Sequence, residues 1–288
     1  MRDTVLDYNA EADRYDETRG GVPRAEAAAG AVLRLVPPGA RTLLDLACGT
    51  GLVTERLTRP GLRVYGADAA PGMARRAGRR VPGGVVLADA RRLPLPDASV
   101  DAVSAIWLLH LVPFSAAIVA EAARVLRPGG VFVATVDKDA AHDVGSDIDR
   151  VLAPHRSHER AADRGDRITA TAAAHGLTPA AATRFTGHGQ GTTPRRTAGN
   201  LRRGYYASWF DGHPETTAAL TAELAALPDQ DHPRADPDHR LVSYRRAVTG
   251  DRTHTRVRRP FPAARRRLRR HASAVTLPPS ATPPPRTP

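Results

Sequence analysis

Hydrophobic positions alternate between two periods along this chain. "TLLDLA" (42–47) is a short apolar run of the kind that forms a strand buried on both faces, and "LRVYGAD" (62–68), "GVVLAD" (84–89), "SVDAVSAIWLL" (99–109) and "VFVATVD" (131–137) repeat that character. Between them the pattern turns helical. "LVTERLT" is stopped by Pro60-Gly61, "PGMARRAGRR" opens on proline, and "FSAAIVAEAARVL" spaces Phe114, Ile118, Ala122, Val125 and Leu126 along one helix face. Strands alternating with helices predict a doubly wound, mostly parallel α/β sheet.

Residues 1–30 read as polar helices. "AEADRYDETRGG" closes on Gly20-Gly21, and "RAEAAAGAVLRLV" runs to the Pro37-Pro38-Gly39 breaker. Beyond Asp137 the signals weaken. "DRITATAAAHG", "PRRTAGNLRRGYYASWF" and "PETTAALTAELAAL" read as helices, "AAATRFTGH" and "HRLVSYRRAV" as strands, and "HDVGSDID" and "PDQDHPRADPDH" as solvated loops. From Thr249 onward, prolines and arginines without core-forming residues predict disorder. The expected organisation is one domain over 1–248, with a ligand-binding core at 41–137 and acceptor-side helices within 138–230, followed by a tail at 249–288.

Charge changes the picture only through its distribution. Of the net +12, nine charges lie in residues 249–288, where ten arginines face the single acid Asp251, so residues 1–248 carry only +3. A body so close to neutral argues against a specific nucleic-acid partner and confines weak, salt-sensitive association to the tail. No apolar leader opens the chain, and "AVSAIWLLHLVPF" is too short and interrupted to span a membrane. These features predict a soluble, cytoplasmic protein. The lone Cys48 excludes an internal disulfide and any multi-cysteine metal site, and no metal is expected.

Candidate chemistry gathers where a parallel sheet places it, just after the strands. In "LACGTG", Gly49 and Gly51 let the backbone turn and approach a ligand, ahead of an expected helix N-terminus. Asp68 stands seventeen residues past Gly51, where a carboxylate can accept both hydroxyls of a ribose. Asp89 can accept from an exocyclic amine, with the Ala90 N–H beside it for a ring nitrogen. Asp45 can meet a ligand ammonium directly or through water. Asp68 and Asp89 with the Ala90 N–H together describe an adenosine. A dinucleotide would require a third glycine where Thr54 stands.

"LLDLACGTG", "VYGADAAPGM", "ADARRLPLPDASVDAV", "LLHLVP" and "ARVLRPGGVFVAT" resemble, in order and spacing, the motifs of class I S-adenosylmethionine-dependent methyltransferases, in the branch similar to quinone-biosynthesis and small-molecule enzymes. The resemblance covers about residues 15–137. It implies a Rossmann-like seven-stranded sheet with an N-terminal helical cover and a helical lid, and S-adenosyl-L-methionine as cofactor. It also implies a cofactor set of Tyr15, Arg19, Asp45, Ala47, Gly49, Gly51, Asp68, Ala69, Met73, Asp89, Ala90 and Ile106. Cys48 occupies a small-residue position and is expected to pack. His110 resembles the histidine the family often carries beside the transferring methyl and is the candidate base. Arg202, Tyr205, Tyr206 and Trp209 are the expected contacts to a small aromatic or anionic acceptor. Two other readings stay open to the sequence alone: an RNA or protein methyltransferase, and a regulatory protein that binds the cofactor and transfers nothing. Neither the acceptor nor the oligomeric state is legible here.

Overall fold

The computed structural model describes residues 7–156, 161–204, 206 and 213–248. In chain order the elements are helices α1 (Tyr8–Glu11), α2 (Tyr15–Thr18) and α3 (Gly21–Leu35), strands β1 (Thr42–Leu46) and β2 (Arg63–Asp68), α4 (Pro71–Arg80), β3 (Val85–Leu87), β4 (Val100–Ala105), α5 (Ser115–Val125), β5 (Leu126–Val136), α6 (Asp147–Leu152), α7 (Gly165–Ala174), β6 (Leu177–Thr186), α8 (Pro194–Arg202), α9 (Pro214–Ala226) and β7 (Asp238–Arg246). The strands form one seven-stranded sheet in the order β3-β2-β1-β4-β5-β7-β6. The first five pair in parallel, and β7 enters antiparallel between β5 and β6. The Rossmann-like sheet expected from the motifs is therefore present, with its switch point between β1 and β4, where ligand crevices form.

Alternation along the central strands builds two apolar layers. Leu44, Leu46, Val103, Phe132 and Ala134 face α5 and α7 through Ile118, Ala122, Val125, Ile168 and Ala172. Leu43, Ala102, Val131 and Val133 face the opposite layer, where α3 contributes Ala28, Ala29 and Val32. A third cluster is separate: Ile148 and Leu152 of α6, Ala198 and Leu201 of α8, and Leu220 and Leu224 of α9 give the helical lid its own small core.

Several local expectations change. "LVTERLT" forms only a short 3-10 turn at Thr54–Arg56, so no helix follows the glycine loop. The stretch between Gly51 and Pro60 is short, Val53 and Thr54 are β-branched, and the Thr54 hydroxyl donates to Asp45 at 2.7 Å rather than capping a helix. β4 ends at Ala105 because Trp107 turns the chain with φ +55°. α8 stops at Arg202, ahead of Gly204 at φ +71°. "HDVGSDID" is not a solvated loop: Ser146 and Asp149 form a capping box that starts α6, and Asp149 is buried beside Arg156 at 3.4 Å. "PDQDHPRADPDH" is irregular as far as Pro237, but Asp238 and His239 begin β7 with His239 fully buried, and Arg234 grips Asp147 with two bonds of 2.7 Å and ties the irregular part to α6.

Candidate functional site

A cleft opens at the carboxyl ends of β1 and β4, lined from the N-terminal cover by Tyr15, Asp16, Arg19 and Arg24, from the loop after β1 by Ala47 to Thr50, and from the end of β4 by Ile106 and Trp107. Counted with its open mouth, it holds about 520 Å³ of empty space. Backbone strain collects on the same edge. Ala47, Trp107 and Asp137, which follow β1, β4 and β5, are non-glycine residues with φ of 50°, 55° and 53°.

The acids are held by their neighbours in a chain of short bonds. Asp45 pairs in register with Ser104 across β1 and β4, and its two oxygens accept from Ser104 Oγ and Thr54 Oγ1, each at 2.7 Å. Burial pushes its carboxyl up to about 6, against the pull of those two hydroxyls. Asp68 closes β2 with one oxygen accepting the Gly49 N–H and the other the Ala70 N–H, both at 2.8 Å. Burial raises it too, although these amides oppose the shift. Asp68 thereby positions the glycine loop, and with the Ala69 N–H as a third donor its carboxylate still has acceptor capacity left. Cys48 is a buried free thiol pushed well above its usual range by burial, which suits packing.

The N-terminal cover is fastened by residues the sequence reading did not single out. Asp16 of α2 accepts from Thr50 Oγ1 at 2.5 Å and from Arg80 of α4 at 2.7 Å, and Arg80 also donates to the Thr50 carbonyl at 2.8 Å. Helix α2 is thus clamped over the loop. Arg24, 8% exposed, lies with its guanidinium 3.5 Å from the Trp107 ring centre and donates to the Arg19 carbonyl. No local pattern marks these pairs, because the partners come from distant segments.

Of the expected cofactor set, Tyr15, Arg19, Asp45, Ala47, Gly49 and Ile106 line the cleft, and Asp68 reaches it through Gly49. Gly51 does not line it: a Cβ there would lie 2.9 Å from Ala77 Cα, so its bareness serves the close approach of α4. Met73 is buried, Ala69 is exposed, and Ala90 is half-buried. Asp89 accepts a two-pronged contact from Arg91, whose guanidinium lies 4.2 Å from the Phe114 ring centre. That arginine holds Asp89 below the usual carboxylate range.

His110 lies in the 3-10 turn Leu109–Leu111, with Nδ1 buried and without a hydrogen-bond partner among the described residues. Burial, helped by Lys138, lowers its pKa to about 3. The imidazole is neutral at pH 7, and in this environment it is a weak proton acceptor. Of the expected acceptor contacts, Arg202 faces solvent. Tyr206 packs on the lid core and bonds Asn200. Tyr205 and Trp209 lie outside the described residues. Among the described residues, no group of three or more His, Cys, Asp or Glu could hold a metal ion, and no helix is long and apolar enough to cross a membrane.

Known proteins share this architecture. Residues 44–134 match a family model described as a methyltransferase domain. An uncharacterized methyltransferase of Mycobacterium tuberculosis is 39% identical over 130 residues, which are 45% of this chain and 51% of the relative. A demethylmenaquinone methyltransferase of Mycobacterium bovis is 37% identical over 135 residues, 45% of this chain and 56% of its own. The chain spans about half the length of the curated relatives it matches. Among solved structures, the (4+2)-cyclase SpnF superposes with a TM-score of 0.54 at 19% identity, covering 84% of this chain and 94% of that one. A chain from the complex of the Haloferax volcanii Trm112 methyltransferase activator gives 0.52 at 19% identity, covering 86% and 99%. Identities this low show the fold alone, and a cyclase among the neighbours means the reaction has to be argued from the site.

Proposed function

We propose that this chain, whose residues 44–134 match a methyltransferase-domain model, is a class I S-adenosylmethionine-dependent methyltransferase that transfers a methyl group to a small-molecule metabolite. The observation that carries this reading is the convergence, at the switch point of the sheet, of the Ala47–Thr50 loop, the buried acids Asp45 and Asp68 and the clamped cover that brings Tyr15 and Arg19. These residues fit the cofactor. Open space at the Gly49 Cβ position leaves room for a ligand against the backbone, Asp68 keeps lone pairs for ribose hydroxyls, and Asp45 and Arg19 suit an ammonium and a carboxylate. Asp89 can serve the adenine amine by sharing its oxygens with Arg91.

Bound there, S-adenosylmethionine supplies a methyl group on a positively charged sulfur. The protein's part is to position and enclose. The loop fixes the cofactor's place, Ile106 and Trp107 provide an apolar wall, and the cover held by Asp16 keeps water out, which is where much of the acceleration of an in-line displacement originates. With His110 neutral and weakly basic, an acceptor that arrives as an anion needs no protein base. The +3 body argues for a metabolite rather than a nucleic acid as acceptor.

Calorimetry with S-adenosylhomocysteine tests the cofactor site. We expect micromolar-range binding in the wild type and a loss of about 10- to 100-fold in Asp68→Ala, which strands the ribose hydroxyls and releases Gly49. Unchanged affinity in that variant would remove Asp68 from the site, and tighter binding of a nicotinamide dinucleotide would overturn the family's cofactor for this chain.

A further inference from the structure

The N-terminal cover buries little apolar surface. Neither α1 nor α2 contains a buried residue, and across residues 7–19 only Ala12 is buried. Polar contacts fasten it instead. Arg24 of α3 bonds the Arg19 carbonyl and Tyr15, and the other ties run to α4 and the glycine loop beside it: the Gly72 N–H donates to Asn9 Oδ1 at 2.9 Å, Arg76 pairs with Asp13, and Arg80 pairs with Asp16 at 2.7 Å. The chain leaves the cover through Gly20 and Gly21, both left-handed, with φ of +88° and +53°. Two successive glycines make this the freest joint between cover and body.

The ties are unequal. Asp13 is 85% exposed, so its pair with Arg76 sits in water and contributes little, whereas Arg80 and Asp16 are 27% and 20% exposed. Arg80 also does more than pair. One of its terminal nitrogens donates to Asp16 and the other to the Thr50 carbonyl at 2.8 Å, while the second Asp16 oxygen accepts the Thr50 hydroxyl. Cover, glycine loop and α4 are thus joined in one closed ring of bonds, and Arg80 completes it without lining the cleft. Tyr15, Asp16 and Arg19 face the Ala47–Thr50 loop across the cleft, so a ligand seated there lies between cover and loop. The closed cover leaves that loop reachable only through the cleft's mouth. Lifting it requires the ring to break. Helices of a single turn do not persist in water by themselves, so a released cover also loses internal bonds such as that from the Thr18 N–H to the Arg14 carbonyl.

We infer that the ring of Asp16, Thr50 and Arg80 is the latch of a gate: the cover opens about Gly20-Gly21 to admit and release the ligand of the cleft, and Arg80, a positioning residue, sets how often it opens. The inference rests on the methyltransferase reading only in naming that ligand the cofactor. Entry and exit both draw on the fraction of molecules whose cover is open. A weaker latch raises that fraction with and without ligand, so both rates rise together and affinity changes little. A residue that only shaped the closed site would speed release and leave entry alone.

The test uses the full chain in two measurements: hydrogen exchange without ligand, and rapid mixing with S-adenosylhomocysteine. Arg80→Met, which keeps the aliphatic stem, is expected to speed exchange across residues 7–19 by about fivefold or more while the amides of β1 and β4 stay protected. Association and dissociation of S-adenosylhomocysteine should quicken by a similar factor, with Kd held within about threefold. Arg76→Met, which breaks the exposed pair to the same cover, should leave exchange and both rates within about twofold. Arg80→Lys keeps a charge opposite Asp16 and gives up the planar fork that also reaches Thr50. It is expected to fall between wild type and Arg80→Met, and it carries the test if the methionine variant does not fold. Unchanged exchange of residues 7–19 in the Arg80 variants, or an equal effect from Arg76→Met, overturns the latch. Faster release with entry unchanged or slowed overturns the gate and leaves Arg80 as a support of the glycine loop. Faster exchange in a protein that ignores S-adenosylhomocysteine leaves the latch standing and removes the methyltransferase reading instead.

Discussion

Gly51→Ala is expected to destabilise the domain by about 2–4 kcal/mol, whereas Gly49→Ala, two residues away, costs about 1 kcal/mol. Both glycines have positive φ, +80° and +58°, so both variants take on the strain of a left-handed alanine. Only Gly51 adds a collision, since its new Cβ would lie 2.9 Å from Ala77 Cα and 3.0 Å from Ala77 Cβ, while the Gly49 Cβ would meet nothing within 4 Å. Thermal melting would show the difference as a drop of roughly 5–15 °C for Gly51→Ala against a few degrees for Gly49→Ala. The order should reverse for S-adenosylhomocysteine affinity, because Gly49 lines the cleft and Gly51 does not. Equal melting losses would mean that α4 yields at Ala77 and that the spacing of the two glycines serves the ligand alone.

The second large effect is acid sensitivity well above the usual carboxylate range. Burial, with cationic neighbours, lowers His110 and His142 to about 3 and His239 to about 2, so the folded protein holds these imidazoles neutral while the unfolded chain protonates them near 6.5. A base with a depressed folded pKa contributes stability that is fully present above the unfolded value and lost as pH falls through it. Asp45 and Asp163, each raised to about 6, act in the opposite sense, since the folded state binds their protons first. Asp68, also raised by burial, adds a smaller share in that same sense, so the three imidazoles outweigh the carboxylates only narrowly and unfolding takes up at most about one net proton between pH 6 and 4.5. The slope is then at most about 1.4 kcal/mol per pH unit. Denaturant titrations across this range should show stability falling as pH falls, and His239→Gln should leave the curve nearly flat. A wild-type stability independent of pH between 6.5 and 4.5 would contradict the burial assigned to the three rings.

What could be read from the chain and what could not divide along one line. Strand positions and the edge carrying the chemistry follow from local period: "TLLDLA" had to be a strand buried on both faces, and Asp45, Asp68 and the glycine loop fall at strand ends by counting. The failures are local too where a short range misleads. A helix pattern in "LVTERLT" loses to β-branching, a proline and the Thr54 bond to Asp45, and "HDVGSDID" hides a capping box inside an apparently solvated run. The clamp of Asp16 on Thr50 and Arg80, the stacking of Arg24 on Trp107 and the meeting of His142 with His239 join residues 30 to 100 positions apart. Their geometry exists only once the sheet has assembled, and the His142–His239 contact only once β7 has turned antiparallel beside β5. His110 was legible as a position after β4, but the burial and the Lys138 charge that keep it neutral were not.

The central claim is methyl transfer to a metabolite, and methyl-labelled S-adenosylmethionine tests it most directly. The full chain would be incubated with the labelled cofactor and a cell extract divided into a small-molecule fraction and a macromolecular fraction, and the labelled product identified in each. The account predicts label in a small molecule of the first fraction and S-adenosylhomocysteine in equal amount. Label confined to RNA or protein, or cofactor bound and returned unchanged from both fractions, would contradict it.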